Sequence, residues 1–127
     1  MNLDSTKVTD GGLKHLAPLT KVRFLNLSRT KVTDEGLKHL APLARLDTLY
    51  LYSTGVTDDG LSHLGSFVEL QRLDVSRTKV TDTGLKHLSA LTKLKTVYLF
   101  HTTVTDAGVA ALRKALPGCR IGTSTVR

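Results

Sequence analysis

The sequence predicts an α/β solenoid of about five stacked coils, and three observations point to it. First, residues recur at a step of 24: Thr6, Thr30, Thr54, Thr78 and Thr102 form one row, and Asp10, Asp34, Asp58, Asp82 and Asp106 another. Val8, Val32, Val56, Val80 and Val104 form a third row, and Gly12, Gly36, Gly60, Gly84 and Gly108 a fourth. Self-similarity at one fixed period marks stacked repeats. Second, each period holds a segment such as Leu46, Leu49 and Leu51 that ends in the apolar alternation of a half-buried strand. Third, apolar residues then recur every three positions, as in Leu61, Leu64 and Phe67, which suits the turns of a short helix.

The elements of a period follow in order. After the strand, Thr57 is placed to cap a helix, and Asp58 puts negative charge in its first turn, where the helix dipole favours it. Pro18 and Pro42 end their helices early. One period buries too little apolar surface to offset the entropy of ordering its backbone, so coils must stack and cover each other. The expected layout is a single domain over 1–127, with coils near 1–21, 22–45, 46–69, 70–93 and 94–117. Residues 118–127 form a closing strand and tail: Pro117-Gly118 breaks the last helix, Ile121 keeps the inward phase, and Thr123 replaces the leucine of its row. Met1-Asn2-Leu3 aligns with Leu25-Asn26-Leu27, in the middle of a period. The first coil is therefore expected to expose Leu3, Val8, Leu13 and Leu16, to be covered by a second copy in a homodimer or by further repeats.

Composition narrows the function. No apolar run approaches the ~18 residues of a membrane span. The single Cys119 excludes an internal disulfide framework, and with the lack of a signal-peptide pattern it favours the cytoplasm. The net charge of +7 raises nucleic acid or another polyanion as a partner. Yet half of the 18 basic residues lie in repeating rows (Lys7, Lys31, Lys79; Lys14, Lys38, Lys86; Lys21, Arg45, Lys93), the pattern of a solvated surface. Asp47 and Asp74 also interrupt the strand face, so nucleic acid is not the expected partner. His15, His39, His63 and His87 form a row too, but a helix spacing of ~8–10 Å is too wide for a shared metal ion. No phosphate loop or nucleophile motif appears, and Cys119 with His101 makes no convincing nucleophile pair. No catalysis, metal or cofactor is expected.

LDTLYLYSTGV (Leu46 to Val56) and LQRLDVSRTKV (Leu70 to Val80) resemble the LxxLxLxx(N/C)xL pattern of leucine-rich repeats, with Thr54 and Thr78 where that family has Asn or Cys. The VTDxGLxxL that follows resembles the ribonuclease-inhibitor-like and F-box-associated branches, in the short 24-residue form found in bacterial, planctomycete-type members. The resemblance spans about residues 1–121. It implies a right-handed horseshoe with parallel strands on the concave face, helices on the convex face, and an adaptor or recognition role. It also implies that the threonine row replaces the family's asparagine ladder, bonding backbone groups of the next coil.

Positions that differ between coils are free of the stacking requirement. They concentrate on the outward strand face, where all three tyrosines fall. The expected partner-binding residues are Phe24, Arg29, Tyr50, Tyr52, Arg72, Asp74, Arg77, Tyr98, Phe100 and His101. Tyrosine and arginine are enriched in binding hot spots because they combine large area with polar tips. The expected function is non-catalytic recognition of a protein or peptide, with self-association through the first coil or polyanion binding through the lysine rows as alternatives.

Overall fold

The computed structural model describes residues 1–124, so 125–127 of the expected tail lie outside the described residues. Strands β1 (Phe24–Asn26), β2 (Thr48–Tyr50), β3 (Arg72–Asp74), β4 (Thr96–Leu99) and β5 (Arg120–Thr123) form one parallel sheet in chain order. A helical segment crosses back between successive strands. These segments are α1 (Asp34–Lys38), α2 (Asp58–Leu61, running on as a 3-10 turn over Ser62–Ser66) and α3 (Asp82–Leu88), with α4 (Asp106–Ala115) before β5. Ahead of β1, the corresponding Gly11–Leu16 is a 3-10 helix.

The register repeats the 24-residue step: Leu25 pairs with Leu49, Leu49 with Leu73, Leu73 with Val97, and Val97 with Ile121. The side chains of the first four are fully buried. All seven apolar positions of the third coil, Leu46, Leu49, Leu51, Val56, Leu61, Leu64 and Phe67, are also fully buried. The core is thus a column of leucines between the sheet and the helices, each layer roofed by the next coil.

The ladder between coils differs from the expectation. The hydroxyls of Thr6, Thr30, Thr54, Thr78 and Thr102 donate to the carbonyl three residues back in their own coil (Leu3, Leu27, Leu51, Val75 and Leu99) at 2.6–2.8 Å. They tighten the turn of their own coil, and among the described residues none of them bonds a neighbouring coil. The aspartate row makes the link instead. Asp10, Asp34, Asp58 and Asp82 each accept two hydrogen bonds from the threonine that caps the next coil's helix. The backbone N–H of Thr33, Thr57, Thr81 and Thr105 donates to one carboxylate oxygen at 2.7–2.8 Å, and the hydroxyl donates to the other at 2.5 Å. Thr57, Thr81 and Thr105 also accept a bond from their own first helical turn, so they cap as the sequence implies.

This ladder explains the glycine row. A Cβ on Gly36, Gly60, Gly84 or Gly108 would collide with the carboxylate of the preceding coil's aspartate, whereas on Gly12 it would meet only Val8, at 3.2 Å. The same threonine-tightened turn of each coil also carries a left-handed residue, Ser5, Arg29, Ser53, Arg77 or His101, with φ between 54° and 60°. None of these is glycine, so the stack maintains a conformation that L-residues disfavour.

Leu13 is a correction. It is fully buried, because its side chain points under α1 beside Gly36. Leu3, Val8 and Leu16 are partly buried against the same core. The exposed apolar groups of the first coil are Met1 and Leu19, at 43% and 41%.

Candidate functional site

The outward residues of the sheet fall into rows set by the register. The first row is Phe24, Thr48, Arg72, Thr96 and Arg120; the second is Asn26, Tyr50, Asp74, Tyr98 and Gly122. Beyond the named strands the ladder continues, with Arg29 N–H donating to the Tyr52 carbonyl and Arg77 N–H to that of Phe100, both at 2.8 Å. That extension sets Ser28, Tyr52, Ser76 and Phe100 side by side as a third row, with the left-handed Arg29, Arg77 and His101 just past it. The expected site residues therefore share one face. Arg120 and Gly122 lie on that face as well and were not among them, although adding one more step of 24 to Thr96 and Tyr98 reaches both.

The face has two unlike halves. Toward β1, the groups satisfy one another. Phe24 and Tyr50 meet edge to face, with centroids 5.6 Å apart. The Arg29 guanidinium lies 5.7 Å from the centre of the Tyr52 ring, and it is also held by Asp4 at 2.7 Å and by the Ser5 hydroxyl at 3.1 Å. Hydrogen bonding from Ser5, with Arg29 beside it, keeps the Asp4 carboxyl below its ordinary pKa despite the opposing effect of desolvation. Phe24, Tyr50 and Tyr52 are all partly buried.

Toward β5, the groups are open. Tyr98 and Phe100 lie nearly parallel, 6.1 Å apart at an interplanar angle of 19°. Both rings settle over Gly122, where a Cβ would come within 2.8 Å of Tyr98 and 3.0 Å of Phe100. Even so, they remain 38% and 40% exposed. Arg72, Arg77, His101 and Arg120 around them are exposed, and the three arginines make no ion pair among the described residues. Asp74, the carboxylate of this half, is partly engaged: one oxygen accepts the Ser76 N–H at 2.9 Å, as Asn26 does for Ser28. The buried Ser76 hydroxyl in turn accepts the Phe100 N–H at 3.0 Å, which fixes the backbone under that ring.

The remaining candidates lie elsewhere. The repeating lysines are exposed, and Lys38 and Lys93 pair with Glu35 and Glu69. Among the described residues no group of three or more His, Cys, Asp or Glu is disposed to hold a metal ion. Cys119 lines a cleft of about 580 Å³ with Lys93, Lys95 and Leu116, where desolvation pushes its thiol pKa up, away from nucleophilic character. Among the described residues no helix is long and apolar enough to cross a membrane.

Solved structures that resemble the chain include three bacterial proteins. Internalin C2 of Listeria monocytogenes superposes with a TM-score of 0.70 at 28% identity, covering 89% of this chain and 49% of that one. An internalin of the same organism, internalin F, gives 0.64 at 18% identity, covering 99% and 41%. A leucine-rich repeat protein of Leptospira interrogans gives 0.66 at 22% identity, covering 85% and 27%. The chain thus spans half or less of the length of each. No curated protein sequence matches it. A Leucine Rich repeat family model matches residues 19–41, 70–89 and 90–112, together just over half of the chain. With the five-stranded parallel sheet and the 24-residue coil, this match makes the chain a member of the leucine-rich repeat family.

Proposed function

We propose that the chain is a non-catalytic recognition module that binds a protein or peptide on its strand face, with the contact centred on Tyr98 and Phe100. Leucine-rich repeat proteins generally mediate protein–protein interaction. The observation that carries the finer reading is the exposed, stacked Tyr98–Phe100 pair on a sheet whose core leucines are fully buried. Large rings left in water lose a stabilisation that a partner restores by covering them. The test is selection from an unbiased displayed-peptide library against the immobilised chain, followed by binding measurements on variants. Tyr98→Ala with Phe100→Ala is expected to abolish binding of the selected peptides while the far-ultraviolet circular dichroism is unchanged. Phe24→Ala with Tyr50→Ala is expected to weaken it less. Selected peptides that bind the Tyr98/Phe100 variant as well as the parent would refute this reading.

A second reading rests on the first coil, where Met1 and Leu19 are exposed beside the half-buried Leu3, Val8 and Leu16. This apolar end is proposed to associate with a second copy. Light scattering behind a sizing column, across a concentration series, is expected to show a dimer that Leu19→Asp converts to monomer. A monomer at every concentration would remove it.

A further inference from the structure

Charge is unevenly divided over the strand face, and the division identifies the kind of partner. In the half toward β1, the Arg29 guanidinium is neutralised by Asp4. In the half toward β5, Arg72, Arg77 and Arg120 are exposed without ion pairs among the described residues, and the nearby carboxylates are already engaged: Asp74 accepts the Ser76 N–H, and Asp47, just ahead of β2 and beside Arg72, accepts the Thr48 hydroxyl at 2.8 Å. Arg72 and Arg120 stand one strand to either side of Thr96 in the same row, so their backbones are roughly 10 Å apart. Tyr98 lies two residues further along β4 than Thr96, or roughly 7 Å. Arg77 lies at the opposite end, beyond Ser76. The exposed rings thus sit between a pair of guanidiniums at one end and a single one at the other.

We propose that this half-face binds an acidic, extended peptide segment of a partner protein. Carboxylates two residues to either side of a large apolar side chain would reach Arg72 or Arg120 at one end and Arg77 at the other. The apolar side chain would cover Tyr98 and Phe100. An extended peptide places alternate side chains roughly 7 Å apart on one side, which matches the step from the arginine row to the ring row. Guanidinium forks hold carboxylates through paired, charge-assisted hydrogen bonds. Nucleic acid fits less well. Three arginines confined to β3–β5 make no continuous basic track, Asp74 interrupts them, and each ring already has one face against its neighbour or Gly122.

The inference rests on the strand-face reading above, and its test separates the two. Peptides selected from the unbiased library are expected to be acidic with at least one large apolar residue. By fluorescence anisotropy, Arg72→Glu with Arg120→Glu is expected to weaken them about ten- to a hundred-fold. Changing the peptide's carboxylates to amides should have a similar effect, and affinity should fall as salt rises. Neutral or basic selected peptides that depend on Tyr98 and Phe100 but not on the arginines would overturn the acidic partner and leave the strand-face reading standing. Peptides indifferent to all four residues would overturn both. A library that yields no binder overturns the peptide occupant, and binding of a labelled single-stranded oligonucleotide through the same arginines would replace it with a polyanion.

Discussion

Thr6 to Leu16 and Thr30 to Leu40 differ at one position, Gly11 against Glu35, yet they fold differently. In the first coil, residues 11–16 form a 3-10 helix whose N-cap, Asp10, already has helical dihedrals and makes no side-chain capping bond. In the second, Asp34–Lys38 is an α-helix entered through an extended Thr33. Asp10 holds that Thr33 by its N–H and its hydroxyl, whereas no described carboxylate bonds Thr9 in the same way. The far end carries the contrast further. Capped by Thr105 on Asp82, α4 runs for ten residues, and Val104, Val109, Leu112 and Leu116 are at most 6% exposed. A coil takes its helical start from the coil before it, so the repeated words are completed across the stack.

Two matched pairs of substitutions, and then three single ones, break or sharpen that comparison. The largest effect is expected at Gly84→Ala, which drives a methyl into the Asp58 carboxylate and toward Leu61 at 3.0 Å, and should destabilise by about 3 kcal/mol. The matching change in the first coil, Gly12→Ala, meets only the half-buried Val8 and should stabilise by about 0.5–1 kcal/mol. Urea melts of both decide it, and equal losses would show that the carboxylate is not what excludes a side chain. Next, Asp58→Ala should cost about 2 kcal/mol by stripping Thr81 of both bonds, whereas Asp106→Ala, whose carboxylate holds no described threonine, should cost about 0.5 kcal/mol. Combining Asp58→Ala with Gly84→Ala should cost less than the sum, because the colliding group is gone.

Smaller effects follow. Gly11→Glu makes the first phrase match the second and should add about 0.5–1 kcal/mol, since glycine disfavours the helix. If α-helical circular dichroism rises as well, the Gly11–Gly12 pair is responsible for the 3-10 geometry; if it does not, the glycines are not what sets it. Ser53→Gly relieves a left-handed residue at φ 55° and should stabilise slightly, by about 0.5–1 kcal/mol, read as a raised melting midpoint. The smallest effect is acid-dependent. Hydrogen bonding from Ser5, with Arg29, lowers the folded pKa of Asp4 below 3.8, so its contribution is present above that value and lost as pH falls through the folded pKa. Asp4→Asn should therefore reduce the slope of stability against pH only at the acidic end, as followed by urea midpoints from neutral pH downward.

The 24-residue step by itself determines the coil, the inward leucines and the rows of the strand face, because stacking forces identical positions into identical surroundings. Tyr50, Asp74 and Tyr98 fall on successive strands for that reason alone. Three features depended on which partner a side chain takes, in its own coil or in the next, which a periodic pattern leaves undirected. The Asp58 carboxylate reaches Thr81 and does more than complement a helix dipole, and the Thr78 hydroxyl turns back to its own coil. Leu13 is covered by the coil after it, although its own coil is the first. The strand-face aromatics likewise divide by neighbour and not by row: Tyr52 meets an arginine tied to Asp4, while Phe100 meets a glycine. Periodicity determined which residues share a surface, and the tertiary structure decided which of them are already satisfied there, because hydrogen-bond and ring partners are set by side-chain reach across the stack.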